Sequence, residues 1–597
     1  MASYSAPLRD MQFVLNELAD LASVVGFPGY SEATPELVDS VLDAASKFAA
    51  DVIAPLNASG DQEGAKFKDG VVTTPKGFKE AYMRFVADGW NALAIPAEYG
   101  GQGLPQLLSA PLQEMWQAAN MSFALCSLLT QGAVEALLLS GSEALKQCFL
   151  PRMVSGEWTG SMNLSEPQAG SDLAAVHCRA LRVGDHYKLT GQKIFITYGE
   201  HDWTENIIHM VLARTPDAPA GVKGISMFLV PKFLVNTDGS VGKRNDVQCA
   251  SIEHKLGIHA SPTAVMSYGE QGGAVGYLIG EENRGLEYMF IMMNLARFDV
   301  GVQGLGIADR AWQQARAYAR ERVQSADISE RHGQPVTIIH HPDVRRMLMS
   351  MKARVEAMRA VAYVTASGLD RALRHPDEQQ RAQAQAFVDL MIPVVKGWCT
   401  ENAIDITSLG IQVHGGMGYI EETGAAQYFR DARISTIYEG TTGIQAKDLI
   451  GRKIARDQGM AAKALTGMMR ATEKELANAQ GEMLKAIGMR LSAGIEALEE
   501  AVNWLVSHYA GDVKAAAAGS VPFLMLVGIV SGGWQMARAA LIAQKKLDAG
   551  AGDAPFYKAK LGTARFYADH ELTRAPALKE SIVSGAVGVL ALSEDQF

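Results

Sequence analysis

Residues 430–441 read Arg-Asp-Ala-Arg-Ile-Ser-Thr-Ile-Tyr-Glu-Gly-Thr, and they place one acid, Glu439, between two large side chains and a glycine. Ile437 and Tyr438 predict apolar surroundings, which raise the pKa of a carboxyl group. Gly440 lets another molecule approach the backbone closely, because it has no Cβ. The motif alone would equally suit a surface glutamate or a helix cap, so its meaning depends on the rest of the chain.

The hydrophobic spacing around this stretch divides the chain into four regions. Residues 1–160 are mostly helical in pattern, and residues 161–281 contain short apolar runs bounded by Gly, Pro and Asp, which predict strands. Helical spacing returns at Leu286 and predicts helices over 282–456, the region that contains Glu439. In 457–597, apolar residues from Leu484 to Leu505 recur at spacings of three and four, which predicts a further helical domain.

Composition and charge narrow the classes of function. The 597 residues are 48% hydrophobic and 20% charged, as in globular proteins, and the net charge of −10 disfavours nucleic acid or an anionic membrane as partner. Five widely separated cysteines without a C-x-x-C pair argue against a disulfide framework or a structural zinc site. The N-terminus lacks the pattern of a secretory signal, and we expect a cytoplasmic location.

Three further patterns concern membranes, nucleotides and metals. The most apolar run, Val521–Val530, is shorter than the ~20 residues that span a bilayer, so we interpret it as a buried helix. No G-x-G-x-x-G opens a helix after a predicted strand, and no P-loop occurs, so a nucleotide cofactor would be held in another way. His340 and His341 are adjacent, which does not present both to one metal from a helix face, and we expect no metal.

Four long segments in a fixed order give the Glu439 motif a context that it lacks alone. They are Asn163-Leu-Ser-Glu-Pro-Gln-Ala-Gly-Ser-Asp172, Gly191-Gln-Lys-Ile-Phe-Ile-Thr197, Gln412-Val-His-Gly-Gly-Met-Gly-Tyr419 and residues 430–441. Together they resemble the acyl-CoA dehydrogenase family over nearly the whole chain. Residues 255–266 and the region after 457 resemble its C-terminally extended subfamily.

The resemblance implies both a fold and a reaction. The implied fold is α+β and multidomain: an N-terminal helical domain (1–160), a middle β-barrel (161–281), a C-terminal four-helix bundle (282–456) and an extra C-terminal helical domain (457–597). The implied reaction is FAD-dependent α,β-desaturation of a fatty acyl-CoA or of 3-methylmercaptopropionyl-CoA. Glu439 would be the base, flavin N5 would accept the hydride, and electron-transfer flavoprotein would accept the electrons. The implied oligomeric state is a homodimer.

The resemblance also implies binding residues, position by position. FAD would be held by Met162, Leu164, Ser165, Ser171, Phe195, Thr197, Arg322, Gln324, Gln412, Gly415, Gly416, Thr441 and Gln445. The CoA thioester would be held by Ser171, Asn294, Arg297 and Gly440. Three positions depart from the family pattern: Phe195 stands where many relatives have Trp, Asn294 where Asp is usual, and Pro342 where Gln is usual.

Two other functions remain open at this point. An acyl-CoA oxidase would share the fold and return electrons to dioxygen, although the Tyr438-Glu439-Gly440-Thr441-Thr442 form resembles the dehydrogenases more. A DNA-associated flavoprotein resembling the alkylation-response protein would need a basic C-terminal domain. Residues 455–597 contain fifteen Lys and Arg and fifteen Asp and Glu, so that positive charge is missing.

Overall fold

The computed structural model describes residues 4–330 and 333–597, and its order of elements, helices, then a sheet, then helices, confirms the predicted fold class. The chain forms two compact units, which we describe separately. The first, unit 1, comprises residues up to Ser46, Pro105–Ala118 and the chain from Val300 onward; unit 2 comprises Lys47–Leu104 and Ala119–Asp299.

The elements have the following bounds. The first helices are α1 (Leu8–Phe13), α2 (Leu21–Val25), α3 (Pro35–Phe48), α4 (Leu56–Glu63), α5 (Phe78–Ala87), α6 (Gln106–Ala119), α7 (Met121–Ser140) and α8 (Glu143–Val154). The strands of unit 2 are β1 (Lys66–Lys68), β2 (Val71–Thr73), β3 (Trp158–Asn163), β4 (Arg179–Val183), β5 (His186–Thr197), β6 (Asn206–Ala213), β7 (Ser226–Pro231), β8 (Phe233–Val235), β9 (Val241–Arg244), β10 (Val247–Ile252), β11 (Thr263–Tyr268) and β12 (Ala274–Ile279). The chain continues through α9 (Gly285–Glu321), β13 (Val323–Ala326), β14 (Pro335–Thr337), α10 (Pro342–Arg374), α11 (Glu378–His414), α12 (Ala425–Ala432), α13 (Thr442–Asp448), α14 (Met460–Asn478), α15 (Glu482–His508), α16 (Val513–Ala518), α17 (Ser520–Asp548), α18 (Ala554–His570), α19 (Ala575–Ser584) and α20 (Ala586–Val589).

The first 160 residues also contain a hairpin that the helical pattern did not predict. Strand β1 pairs with β2, and Lys68 lies opposite Val71 across a two-residue turn. The turn residues Asp69 and Gly70 both have positive φ, +51° and +80°. Asp-Gly is a pair typical of the type I′ turn, because glycine and, less readily, aspartate adopt that conformation.

An eight-stranded sheet forms the core of unit 2. Its order is β10-β11-β5-β12-β7-β6-β3, and β4 pairs with β5 as well. The twelve-residue β5 therefore has three neighbours, β4, β11 and β12. Two of the apolar runs that predict strands are Ile207–Leu212, which β6 covers, and Ile225–Val230, of which β7 covers all but Ile225. Every residue of β6 and β7 is buried, as expected for strands of continuous apolar sequence.

The helices of unit 1 confirm the two helical predictions for the C-terminal part. Helix α15 buries all seven apolar residues of the spacing from Leu484 to Leu505. The run Val521–Val530 lies inside α17. Two helices, α7 and α17, are long and apolar enough to cross a membrane by composition, but 78% and 83% of their most apolar stretches are buried within the protein, as in core helices.

Candidate active site

The turn that carries Glu439 has an unusual backbone. It lies between the short helical turn Arg433–Thr436 and α13. Glu439 has φ +54° and Gly440 has φ +83°, so two successive residues are left-handed. A residue other than glycine in this region carries a strain of about 1–2 kcal/mol, so the surrounding structure must hold the turn in place.

Tyr438 anchors the turn on one side. Its hydroxyl donates to the side-chain oxygen of Gln303 on α9, and the amide nitrogen of Gln303 donates to Gln117 Oε1 on α6 at 2.9 Å. Burial and the nearby Glu439 carboxylate both raise the pKa of Tyr438. Ile437, in contrast, is 47% exposed, so the expected apolar wall on that side of the acid is incomplete within this chain.

Gln445 anchors the turn from the other side. This residue of α13 is fully buried, and its Nε2 donates to the carbonyl oxygens of Glu439 at 3.0 Å and Gly440 at 3.3 Å. A Cβ at position 440 would lie 2.8 Å from that nitrogen, so the close approach requires glycine. The first turn of α13 is fixed in addition, since Thr441 accepts from the backbone N–H of Ile444 at 3.2 Å.

The first predicted flavin segment lies in unit 2 and is fixed by a buried lysine. Lys193 Nζ donates to the Leu164 carbonyl at 2.9 Å and to the Glu166 carboxylate at 2.8 Å. The two charged side chains are 0% and 3% exposed. Burial opposes the charge of Glu166, but Lys193 and two backbone N–H donors outweigh it, so the pKa of Glu166 is lowered. Leu164 and Ser165 are thereby held beside β5, where Ser165 accepts from the N–H of Ile194 at 3.0 Å.

Phe195 is presented outward by an irregularity in β5. The pairing of β5 with β11 shifts between Ala264 and Met266, which oppose Ile196 and Lys193. One extra residue of β5 therefore bulges, and Phe195 has φ +60° and is 62% exposed. A β-bulge commonly redirects a side chain in this way. Thr197, two residues further on, pairs with Thr263 in the ladder and is half-buried.

The predicted residues for the adenosine-diphosphate end of the cofactor form two exposed groups in unit 1. Arg322 and Gln324 are exposed at the end of α9 and in β13, and Gln412, Gly415 and Gly416 are exposed at the end of α11. His414 stacks on Tyr318 of α9, with ring centroids 4.4 Å apart, which brings the end of α11 to the last turns of α9. A Cβ on either glycine would meet no atom within 4 Å, so this backbone is open.

The predicted CoA-binding residues fall into two kinds. Ser171 and Asn294 are exposed, whereas Arg297, one turn after Asn294 on α9, is 6% exposed. The Arg297 guanidinium lies 5.9 Å from the centre of the Phe290 ring. Arg297 therefore has the surroundings of a structural residue, while Ser171 and Asn294 are accessible to a ligand.

Sequence reasoning missed several residues that hold the site. Gln117 and Gln303 support the turn through Tyr438, and Glu401 of α11 accepts from the hydroxyl of Thr442 at 2.5 Å. One signal for Gln303 was present: it is the single amide in the otherwise small and apolar run Val300–Ile307. A polar side chain within such a run is buried and needs a partner.

Family models match almost the whole chain. Models described as the N-terminal, middle and C-terminal domains of acyl-CoA dehydrogenase match residues 36–157, 161–269 and 283–455. A model described as acetyl-CoA dehydrogenase C-terminal like matches residues 465–593.

Individual proteins are similar over their full length. The chain is 48% identical to a 3-methylmercaptopropionyl-CoA dehydrogenase of Ruegeria pomeroyi, over 99% of this chain and 100% of that protein. It is 33% identical to the broad-specificity linear acyl-CoA dehydrogenase FadE5 of Mycobacterium tuberculosis, over 100% of both chains. The crystal structure of an acyl-CoA dehydrogenase complexed with FAD from Bacillus anthracis matches 96% of this chain and 91% of that one with a TM-score of 0.74; at 21% identity it shows a shared fold.

Proposed function

The chain belongs to the acyl-CoA dehydrogenase family and oxidises an acyl-CoA, and we propose that Glu439 is the base that removes the α-proton of the thioester. The observation that carries the proposal is the strained turn. Glu439 and Gly440 both have a left-handed backbone conformation in this turn, and the side chain of Gln445 binds both of their carbonyl oxygens.

The turn suits proton abstraction beside a carbonyl group. The α-proton of a thioester is only weakly acidic, so the reaction needs a placed carboxylate and donors for the developing enolate oxygen. In a trans peptide the N–H and C=O point in opposite directions. Because the Glu439 carbonyl faces Gln445, the Gly440 N–H points away from Gln445. We assign the backbone N–H groups of Glu439 and Gly440 to the thioester oxygen.

The residues present fit FAD. Phe195 offers an exposed aromatic surface on β5, and the Gly415–Gly416 backbone is open. Arg322 is exposed, and its charge and fork geometry suit a pyrophosphate. Gln445 Oε1 is buried without a hydrogen-bond partner among the described residues, so it is available as an acceptor. When bound, FAD supplies the acceptor for the hydrogen that leaves the β-carbon. Met162, Leu164, Ser165 and Thr197 are proposed to line the cofactor, and Gln324, Gln412 and Thr441 are further proposed contacts.

We assign 3-methylmercaptopropionyl-CoA as the substrate. The assignment is supported by 48% identity over 99% of the chain to the Ruegeria pomeroyi protein of that name. Ser171 and Asn294 are the accessible residues that would contact the CoA thioester. As further parts of the proposal, the protein is a cytoplasmic homodimer that passes electrons to electron-transfer flavoprotein. In this proposed homodimer, Arg322 and Gly415 are exposed and would be accessible to the partner subunit's cofactor.

Anaerobic titration of the purified protein tests the substrate and the reaction together. Acyl-CoAs of increasing chain length and 3-methylmercaptopropionyl-CoA are added while the flavin absorbance is followed. We expect bleaching at the lowest concentration with 3-methylmercaptopropionyl-CoA; preferential bleaching by a fatty acyl-CoA would reject that substrate. Air is then readmitted to distinguish a dehydrogenase from an oxidase. Rapid formation of stoichiometric peroxide would identify an oxidase and contradict a dehydrogenase.

A further inference from the structure

We propose that Gln303, oriented by Gln117, is a positioning residue of the catalytic turn, which acts through Tyr438 to direct the Glu439 carboxylate. The inference rests on the proposed role of Glu439 as the base. Neither glutamine lies in the four segments that carry the family resemblance, and each lies more than a hundred residues from Glu439 along the chain.

The turn needs two anchors because its backbone is strained. Gln445 holds the carbonyl oxygens of Glu439 and Gly440, and this fixes the peptide planes on the side of α13. It does not fix the residue that enters the turn. Tyr438 does so, since its hydroxyl donates to Gln303 on another helix. A shift of Tyr438 would rotate the adjoining Glu439 about its backbone.

The hydrogen bonds have a defined direction. Gln303 is fully buried, and its Nε2 is used by Gln117 Oε1 at 2.9 Å, which leaves its Oε1 towards Tyr438. Burial and the negative charge of Glu439 keep the Tyr438 phenol protonated, so it remains the donor. Gln117 Oε1 and the Tyr438 hydroxyl thus bind the two ends of the Gln303 amide.

The support behind Gln303 is rigid. Helices α6 and α9 approach so closely that a Cβ at Gly306 would lie 2.8 Å from the Glu114 carbonyl and 2.9 Å from the Ala118 nitrogen. Gln117 is 1% exposed between these two positions. Two apolar side chains of equal size would fill the same space without the desolvation cost of two amides. Unlike apolar side chains, the two amides provide a hydrogen-bond acceptor for the Tyr438 hydroxyl.

Four variants separate positioning from packing. Gln303→Met keeps the length of the side chain and loses the acceptor, Tyr438→Phe loses the donor, and the double variant loses both. Gln314→Met is the matched control: Gln314 is also buried on α9, and its amide donates to the Thr423 carbonyl at 2.6 Å, not to the turn. All four are compared in anaerobic single-turnover flavin reduction, over a range of pH, with normal and α-deuterated acyl-CoA.

We expect Gln303→Met and Tyr438→Phe each to slow flavin reduction about five- to tenfold, the effect of one ordinary hydrogen bond. The α-deuterium isotope effect should rise, the pH profile should shift, and the double variant should be no slower than either single variant. Gln314→Met should leave the rate of flavin reduction, the isotope effect and the pH profile unchanged. It should lower the unfolding temperature as much as Gln303→Met does.

Two results would overturn the inference. One is flavin reduction in Gln303→Met that equals that of Gln314→Met, and the other is a double variant whose defect is the product of the two single defects. Glu439→Gln, measured in the same experiment, separates this failure from failure of the proposed function. If Glu439→Gln is inactive and Gln303→Met is normal, only the positioning role is wrong; if Glu439→Gln is active, the base itself is wrong.

Discussion

Gln445 donates its side-chain amide to the carbonyl oxygen of Glu439 at 3.0 Å, so the residue proposed as base is held by a side chain six positions further along the chain. The same nitrogen lies 3.3 Å from the Gly440 carbonyl. The conformation of the turn therefore depends on one buried amide at the start of α13 as well as on its own sequence.

Replacing Gln445 by Met should release the turn. Two carbonyl oxygens lose a buried donor, which costs about 1–3 kcal/mol, and Glu439 is no longer held in its left-handed conformation. We expect kcat to fall more than about tenfold, as well as a lower unfolding temperature. Gln544→Met on α17, where the amide donates to the Asp548 carboxylate at 2.7 Å, is the control. Unchanged kcat in Gln445→Met would show that the turn holds itself.

Two glycine-to-alanine variants in the C-terminal helices should have opposite effects. A Cβ at Gly528 would lie 2.2 Å from Trp398, a side chain that is 1% exposed and has no room to move. Gly528→Ala should therefore destabilise the protein by several kcal/mol. A Cβ at Gly562 on α18 would meet nothing within 4 Å, so Gly562→Ala should stabilise by about 0.5–1 kcal/mol. Thermal unfolding of both variants checks this; equal shifts would contradict the packing of α17 against α11.

Asp370 should stabilise the protein by holding the first residues of α6, a helix that lies more than 250 residues earlier in the chain. Its carboxylate accepts from the N–H groups of Gln106 and Leu107 at 2.9 and 2.8 Å and from the Tyr30 hydroxyl at 2.7 Å, and so caps the start of α6. Asp370→Asn removes an acceptor from buried donors and should cost about 1–3 kcal/mol. Asp405→Asn weakens the ion pair of the 66% exposed Asp405 side chain with Arg354 and should cost less than about 1 kcal/mol. Denaturant unfolding with similar midpoints for both would refute the cap.

Asp299 should make stability depend on pH. Burial raises its pKa from 3.8 to about 8. The folded state then holds the proton more tightly than the unfolded state, so the contribution of Asp299 is complete below pH 3.8 and is lost as pH rises through about 8. Asp299→Asn cannot titrate, and its unfolding temperature relative to the wild type should increase from pH 5 to pH 8.5. Curves of unfolding temperature against pH that run parallel for the wild type and Asp299→Asn would contradict the raised pKa.

Local patterns predicted the elements, and long-range contacts supplied the rest. The spacing from Leu484 to Leu505 predicted α15 because one buried face of a helix repeats every three or four residues, and β6 and β7 followed from short apolar runs. Glu439 was predicted as the base from the family resemblance of its motif, and that role stays a prediction. The side chains that hold the turn were not predicted, because Gln303 lies 135 residues from Tyr438 and 186 from Gln117 along the chain. Local periodicity contains no information on contacts at such separations.

The central claim is that Glu439 abstracts the α-proton, and single-turnover reduction of the Glu439→Gln variant tests it most directly. Purified wild type, Glu439→Gln and the exposed control Glu422→Gln are mixed anaerobically with 3-methylmercaptopropionyl-CoA and followed by flavin absorbance. We predict that Glu439→Gln retains its flavin and shows the spectral change of ligand binding but no bleaching, while Glu422→Gln bleaches at the wild-type rate. Bleaching of Glu439→Gln at the wild-type rate would place the base elsewhere and contradict the account.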